Sequence, residues 1–185
     1  GTLVDIAERI SGADFRDVRM AAQPDPELLA TSGEHIRRSA VCPCPQGDAP
    51  TSGRVFEALP AGCVPVVSSP EDLMRSDLPF PSLIDWDAIA LHTPNFPTIE
   101  KAHEGKGVQI FSAALEALVG PNAKPEHQAR LKCMQEEGMR VYRNHMSYWR
   151  NPLGVTESIL FESWIHLQKK GLIEGPYSAH TSAPA

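Results

Sequence analysis

Hydrophobic positions in the first half of the chain alternate between the spacing of helices and that of strands. Helices are predicted at Thr2–Ile10, Pro26–Arg38 and Ser52–Ala61, and strands at Phe15–Met20, Ala40–Pro43, Val64–Val67 and, as a candidate edge strand, Ala88–His92. The β-branched run Val64–Val67 is typical of a buried parallel strand. Strand, helix and strand at this spacing form a βαβ unit, so an α/β fold with a parallel sheet is predicted.

The second half is predicted to be mostly helical. Its helices are expected at Val108–Val119, Glu126–Trp149 and Thr156–Lys169, after a Pro-rich, acidic loop over residues 68–85. In the longest of them, hydrophobic residues recur every three or four positions, which places on one face Leu131, Met134, Gly138, Val141/Tyr142, His145 and Tyr148/Trp149. This pattern favours a helix laid across the domain over an exposed stripe that binds a partner.

Composition limits the class of protein. The 185 residues leave room for one domain of ordinary size, and 42% hydrophobic against 22% charged residues predicts a buried core. With 17 Lys+Arg against 23 Asp+Glu the net charge is −6, which argues against binding to nucleic acid. The apolar stretches are too short to span a bilayer. The first residue is Gly rather than Met, so we expect a processed product or a fragment.

The cysteines and histidines do not suggest a metal site. Cys42 and Cys44 lack the two-residue spacer and the second pair of a zinc site, and the seven histidines have no ligand spacing. Cys42, Cys44 and Cys63 lie in apolar, strand-like surroundings, where free thiols pack as small hydrophobic groups. Buried thiols are therefore predicted, with one disulfide as the alternative.

The junction between the second predicted strand and the helix after it is suited to anions. The first backbone N–H groups of a helix lack internal partners, and the positive end of the helix dipole points at whatever lies in front of them. A helix beginning at Thr51 or Ser52 adds hydroxyl donors, and Arg54 in the first turn can make a bidentate contact with phosphate oxygens. Together these groups predict a seat for a diphosphate.

Glu57 follows Arg54 by three residues, so both side chains share one face of that helix. With a cap at Thr51 or Ser52, the capping-box position falls at Arg54 or Val55, and Glu57 is not needed for capping. A carboxylate beside a phosphate seat can accept hydrogen bonds from both hydroxyls of a ribose. The alternative is a surface ion pair between Arg54 and Glu57.

Residues 42–67, CPCPQGDAPTSGRVFEALPAGCVPVV, followed by LPFPSLIDWDAIAL at residues 78–91, closely resemble the exostosin-type glycosyltransferases. The resemblance implies half of a GT-B fold: a Rossmann-like, three-layer α/β domain with a parallel sheet and C-terminal helices. It also implies that Gly47 and Asp48 shape the loop around a nucleotide-sugar donor, that Ser52 and Arg54 meet the diphosphate, and that Glu57 meets the ribose. Cys63, Pro65 and the LPF and IDW elements would form the surrounding frame.

On this resemblance the chain divides into a nucleotide-sugar-binding domain (residues 1–120), a C-terminal helical extension packed on it (121–173) and a tail (174–185). The implied activity is transfer of a sugar, with inversion, from a UDP-sugar to a glycan acceptor in the Golgi lumen or secretory pathway, without a metal cofactor. The partner would be an N-terminal acceptor domain or other protein subunits. The alternatives are a non-catalytic accessory or scaffold subunit and a regulatory nucleotide-binding module.

A general base is not identified by the resemblance. Asp48, Asp85 and Asp87 qualify by residue type, but Asp48 and Asp85 are better explained as turn and frame residues. The catalytic residues therefore stay unassigned at this level.

Overall fold

The computed structural model describes residues 26–44, 51–67, 77–92, 113 and 115–177, with the backbone alone for 26–30. Several predicted features lie outside these residues: the helix Thr2–Ile10, the strand Phe15–Met20, the donor-loop residues Gly47 and Asp48, the first half of the loop over 68–85, the first part of the helix Val108–Val119, and the end of the tail.

Four helices and three strands make up the described fold. The helices are α1 (Pro26–Arg38), α2 (Arg54–Ala61), α3 (Pro125–Val141) and α4 (Pro152–Lys169), and the strands are β1 (Val41–Cys44), β2 (Val64–Val67) and β3 (Leu91–His92). Residues 115–119 are also helical. The predicted bounds of α1 and β2 are confirmed. Helix α4 begins four residues earlier than predicted, because Asn151 Oδ1 accepts a hydrogen bond from Gly154 N at 3.0 Å and caps it.

The sheet is parallel, as predicted, with the strand order β1-β2-β3. Val41 pairs with Val64, and Val66 pairs with Leu91. The predicted strand Ala88–His92 is too long: Trp86–Ala88 form a 3₁₀ turn, capped by the Asp85 carboxylate, and only Leu91–His92 are extended. The chain is thus an α/β, Rossmann-like domain, consistent with one half of a GT-B fold.

Helices cover both faces of the sheet. Cys44 and Val67 belong to a core cluster with Val55 and Leu59 of α2. Val64, three residues before Val67 and therefore on the opposite face, packs instead with Leu131 and Met134 of α3 and, at its margin, with Leu118 and Val119. This gives the three layers that a doubly covered parallel sheet requires.

The C-terminal end predicted for the long helix Glu126–Trp149 is wrong. Its buried face is confirmed for Leu131, Met134, Gly138 and Val141. The chain then widens into a π-helical turn, Tyr142–Met146, in which Ser147 N donates to Tyr142 O at 2.9 Å, and the helix stops. Tyr148 and Trp149 are 63% and 96% exposed, so they are not part of that face.

The prediction that the strand cysteines are all free thiols is wrong for two of them. Cys42 and Cys63 form a disulfide, with their Cα atoms 5.8 Å apart. Parallel pairing of β1 with β2 sets Cys42 opposite Pro65, two residues after Cys63, and so brings the two side chains together. Cys44 is a buried free thiol, as predicted, and Cys133 is free and exposed.

None of the helices in the described part of the chain is both long and apolar enough to cross a membrane.

Candidate functional site

The predicted anion seat lies at the carboxyl edge of the sheet. Strands β1 and β2 both run toward this edge, and α2 begins there because the chain must return across the sheet between them. Ligands of parallel α/β folds bind at this edge. The structure places Ser52 immediately before α2 and Arg54 and Glu57 within its first turns, so three of the five predicted site residues come together.

The N-terminus of α2 differs from the prediction that Thr51 or Ser52 caps it. The helix begins at Arg54, and its N-cap is Gly53, without a side-chain cap. Ser52 Oγ accepts only a long contact, 3.4 Å, from Arg54 N. Val55 N and Phe56 N already donate to Ser52 O and Gly53 O at 3.0 and 3.1 Å. Because these two amides are occupied, an anion bound here would depend more on side chains than on the helix N-terminus.

Arg54 and Glu57 are both exposed, on either side of the fully buried Val55, which anchors the helix in the core. As far as the described residues show, they form no ion pair with each other, so the alternative of a surface ion pair is not what the structure contains. At the same spacing on α3, Arg140 Nε does donate to Glu137 Oε2 at 2.7 Å. The guanidinium and carboxylate on α2 therefore remain available to a ligand.

Two features lie beside this pair: the hydroxyl of Thr51, which the sequence already suggested as a donor, and the space at Gly53, which the sequence did not indicate. The hydroxyl oxygen of Thr51 is buried and has no hydrogen-bond partner among the described residues. A methyl group built on Gly53 would meet no atom within 4 Å, so there is open space in front of the helix. A buried hydroxyl without a partner is unfavourable, and a ligand oxygen would relieve it.

Cys44, at the end of β1, lies close enough to Arg54 and Glu57 for their charges to affect its thiol. Burial raises the pKa of its thiol to about 12. The positive charge of Arg54 lowers this pKa by a smaller amount, and the negative charge of Glu57 raises it. Its S–H donates to Cys42 O at 3.2 Å. The thiol is therefore protonated at neutral pH and does not act as a nucleophile.

The LPF and IDW elements form a frame, as predicted. Leu78, Ile84 and Trp86 are buried, and Trp86 Nε1 donates to Pro79 O at 3.1 Å. Asp85 has the predicted structural task, since its carboxylate accepts from Asp87 N at 3.2 Å.

In the ranges that the structure describes, no three His, Cys, Asp or Glu side chains are grouped closely enough to hold a metal ion. Of the three candidate bases, Asp85 is committed to its turn and Asp48 lies outside the described residues. Asp87 is exposed and stays a candidate by residue type.

Part of this chain is similar in sequence to proteins of a known family. The family model for the Exostosin GT47 domain matches residues 3–103. A probable glucuronosyltransferase of Oryza sativa subsp. japonica is 44% identical over 65 residues, 35% of this chain and 14% of the relative. A probable glucuronoxylan glucuronosyltransferase of Arabidopsis thaliana is 48% identical over 56 residues, 30% of this chain and 12% of the relative.

A probable beta-1,4-xylosyltransferase of Arabidopsis thaliana is 40% identical over 93 residues, which is 49% of this chain and 22% of that relative. The chain therefore spans less than a quarter of the length of the curated relatives it matches. No solved structure matches it.

Proposed function

Because the chain belongs to the Exostosin GT47 family, we propose that it is the donor-binding half of an inverting glycosyltransferase. Its substrates would be a nucleoside-diphosphate sugar, in the first place a UDP-sugar, and a glycan acceptor. The observation that carries this proposal is the exposed Arg54 and Glu57 at the carboxyl edge of the sheet, which make no ion pair with each other within the described region.

Each site residue has a role in this proposal. Arg54 makes a charge-assisted contact with the diphosphate, and Ser52 donates its hydroxyl beside it. The buried Thr51 hydroxyl, which lacks a partner among the described residues, donates to a further phosphate oxygen. Glu57 accepts hydrogen bonds from the ribose hydroxyls. Gly47 and Asp48, which lie outside the described residues, shape the donor loop as the resemblance implies.

The reaction is a single displacement. An oxygen of the acceptor hydroxyl attacks the anomeric carbon, the bond from that carbon to the phosphate oxygen breaks, and the nucleoside diphosphate leaves with the electron pair. The hydroxyl proton passes to a base that is not assigned here. Arg54 contributes by stabilising the negative charge that grows on the diphosphate as the bond breaks.

We further propose that residues 1–120 form the donor-binding domain, that residues 121–173 are a helical extension of it, and that an N-terminal domain or another subunit supplies the acceptor site. The secretory pathway, and the Golgi lumen in particular, is the proposed location. The Cys42–Cys63 disulfide supports it, since such bonds persist in oxidising compartments.

Substituting Arg54 by Ala or Glu57 by Gln is expected to weaken UDP binding by roughly 10- to 100-fold each. A hydrogen bond to a charged group contributes about 1.5–3 kcal/mol; Arg54→Ala removes the charged donor, and Glu57→Gln replaces a charged carboxylate, which accepts through two oxygens, by a neutral amide with one acceptor. The measurement is calorimetric titration of the chain with UDP, together with the UDP-dependent rise in melting temperature.

The chain supplies matched controls for both substitutions. Arg140→Ala and Glu137→Gln make the same chemical changes at the same spacing on α3 and should leave UDP affinity unchanged. The proposal is wrong if UDP does not bind the parent chain, or if the α2 and α3 variants lose affinity to the same extent.

Gly53→Ala tests whether phosphate occupies the space in front of α2. Gly53 has φ −54° and ψ −24°, which Ala adopts without strain, so the free energy of unfolding should rise by about 0.5 kcal/mol. The added methyl group would lie where the ligand approaches, and UDP affinity should fall. Urea unfolding and UDP titration measure the two effects separately. An affinity equal to that of the parent would show that phosphate does not approach Gly53.

A further inference from the structure

A cavity of about 430 Å³ lies between the π-helical turn Tyr142–Met146, helix α4 and Tyr177, and Leu83 also lines it. None of its lining residues belongs to α2. Its lining combines polar and aromatic side chains: Asn144, His145, Glu157, Ser158, Phe161 and Tyr177. Small-molecule sites have this size and this mixture of aromatic walls with a few fixed polar groups.

Two local features lie beside the cavity: a π-helical turn, and hydrogen bonds that join α4 to Ser82. The π-helical turn Tyr142–Met146 widens the backbone where Asn144 and His145 lie, and such turns frequently mark functional sites. Helix α4 is fastened to the body of the domain by Glu162, whose carboxylate accepts from Ser82 N at 3.2 Å and from Ser82 Oγ at 2.8 Å. These contacts tie α4, which carries Glu157, Ser158 and Phe161, to the rest of the domain.

The hydrogen bonds around Ser158 determine the tautomer of His145. Ser158 is 2% exposed, and its hydroxyl donates to Gly154 O at 2.6 Å. The contact of 2.9 Å between Ser158 Oγ and His145 Nδ1 must then be donated by the imidazole. Burial, and to a lesser degree the charge of Arg140, lowers the pKa of His145, so the ring is neutral at neutral pH. Its Nε2 is consequently a hydrogen-bond acceptor.

The same hydrogen bonds exclude a hydrolytic pair. A serine nucleophile must donate its hydroxyl hydrogen to the histidine, whereas Ser158 donates to a backbone carbonyl and accepts from the ring. The pair serves to orient His145, not to attack a substrate.

Part of the cavity lining is aromatic. The rings of Phe161 and Tyr177 meet edge to face with their centroids 5.2 Å apart, and Trp164 supports both from 6.3 and 5.8 Å. An apolar ring wall facing fixed hydrogen-bond acceptors matches a ligand with an apolar face and a rim of hydroxyl groups.

We propose that this cavity is a glycan-binding subsite for a neutral sugar unit. The hydroxyls of the sugar donate to His145 Nε2 and to the carboxylate of Glu157, and the C–H face of the ring packs on Phe161 and Tyr177. Of the residues lining the cavity, Glu157 alone carries a full charge. Because that charge is negative, a uronic acid or a phosphate is disfavoured. The assignment of this sugar to the acceptor chain rests on the proposed function. Binding of a neutral sugar in the cavity does not depend on it.

The test uses the full chain and calorimetric titration with three probes: xylohexaose and cellohexaose, which are neutral, and hexagalacturonate, which is acidic. At least one neutral probe should bind, and hexagalacturonate should bind at least about tenfold more weakly. Glu157→Gln and Phe161→Ala should each weaken binding of the neutral probe by about tenfold or more. Matched controls are Glu174→Gln, which lies outside the cavity lining, and Leu160→Ala, which removes an exposed side chain of the same helix.

Three results would overturn the subsite: no binding of either neutral hexasaccharide, equal binding of the acidic one, or variants that bind like the parent. Glu157→Gln changes an exposed side chain and should not affect folding, so the test remains decisive if Phe161→Ala fails to fold. The UDP-dependent rise in melting temperature, measured on the same samples, reports the α2 seat independently. Failure of the subsite and failure of the donor site are therefore distinguishable.

Discussion

Replacing both Cys42 and Cys63 by Ala is expected to lower the free energy of unfolding by about 3 kcal/mol. The disulfide joins residues 21 positions apart, and in the chain-entropy account closing a loop of that length restricts the unfolded chain by this amount. In the folded state it ties β1 to the residue before β2, the two strands whose carboxyl ends carry the proposed donor seat. The measurement is urea unfolding at 25 °C, compared between the double variant and the parent.

A free cysteine provides the control for this substitution. Cys133 is exposed, and Cys133→Ala should leave the urea midpoint within error of the parent value. A reductant should destabilise the parent and the Cys133 variant but not the double variant. Equal midpoints for the parent and the double variant would show that the disulfide does not restrain the unfolded chain.

Gly138→Val is expected to lower the free energy of unfolding by about 2–3 kcal/mol, although valine is intrinsically a better helix former than glycine. A Cβ at Gly138 would lie 3.0 Å from Leu59 Cδ2 and 3.8 Å from Ile89 Cβ. Both neighbours are buried, at 2% and 0% exposure, so they have little space to move. Helix α3 would have to shift away from α2, and urea unfolding would report the loss of stability.

Glu136→Val is the matched control, because it places the same side chain on the exposed face of α3 and should cost only about 0.5 kcal/mol. Combining Gly138→Val with Leu59→Ala should give a smaller loss than the sum of the two single variants, since the smaller side chain leaves room for the larger one. Additive losses would mean that the two residues do not compete for space.

Much of the fold followed from local pattern. Helix α1 and strand β2 have the bounds that the periodicity predicts, and the βαβ order correctly predicts a parallel sheet. The ends of elements were less predictable. The hydrophobic periodicity continues in the sequence past the end of helix α3. The helix stops earlier, because a π-helical turn shifts the later residues off the buried face. Tyr148 and Trp149 fit the pattern in sequence and are exposed in the structure.

The cysteines show a second limit of local information. Apolar neighbours around Cys42, Cys44 and Cys63 are compatible with free thiols and with a disulfide alike. Register decides between them: parallel pairing brings Cys42 and Cys63 together and leaves Cys44 to donate to a backbone carbonyl. The cavity around His145 depends in the same way on contacts between the π-helical turn and α4, and no spacing along the chain indicates it.

The sequence by itself determined that Arg54 and Glu57 share one face of a helix at the head of a βαβ unit, since an interval of three residues has that consequence in any helix. Only the tertiary structure decided whether these two side chains pair with each other. Glu137 and Arg140 have the same interval on α3 and form an ion pair, whereas the described structure shows none between Arg54 and Glu57. On α2 the buried Val55 fixes the helix at the carboxyl edge of the sheet, and both Arg54 and Glu57 are exposed there.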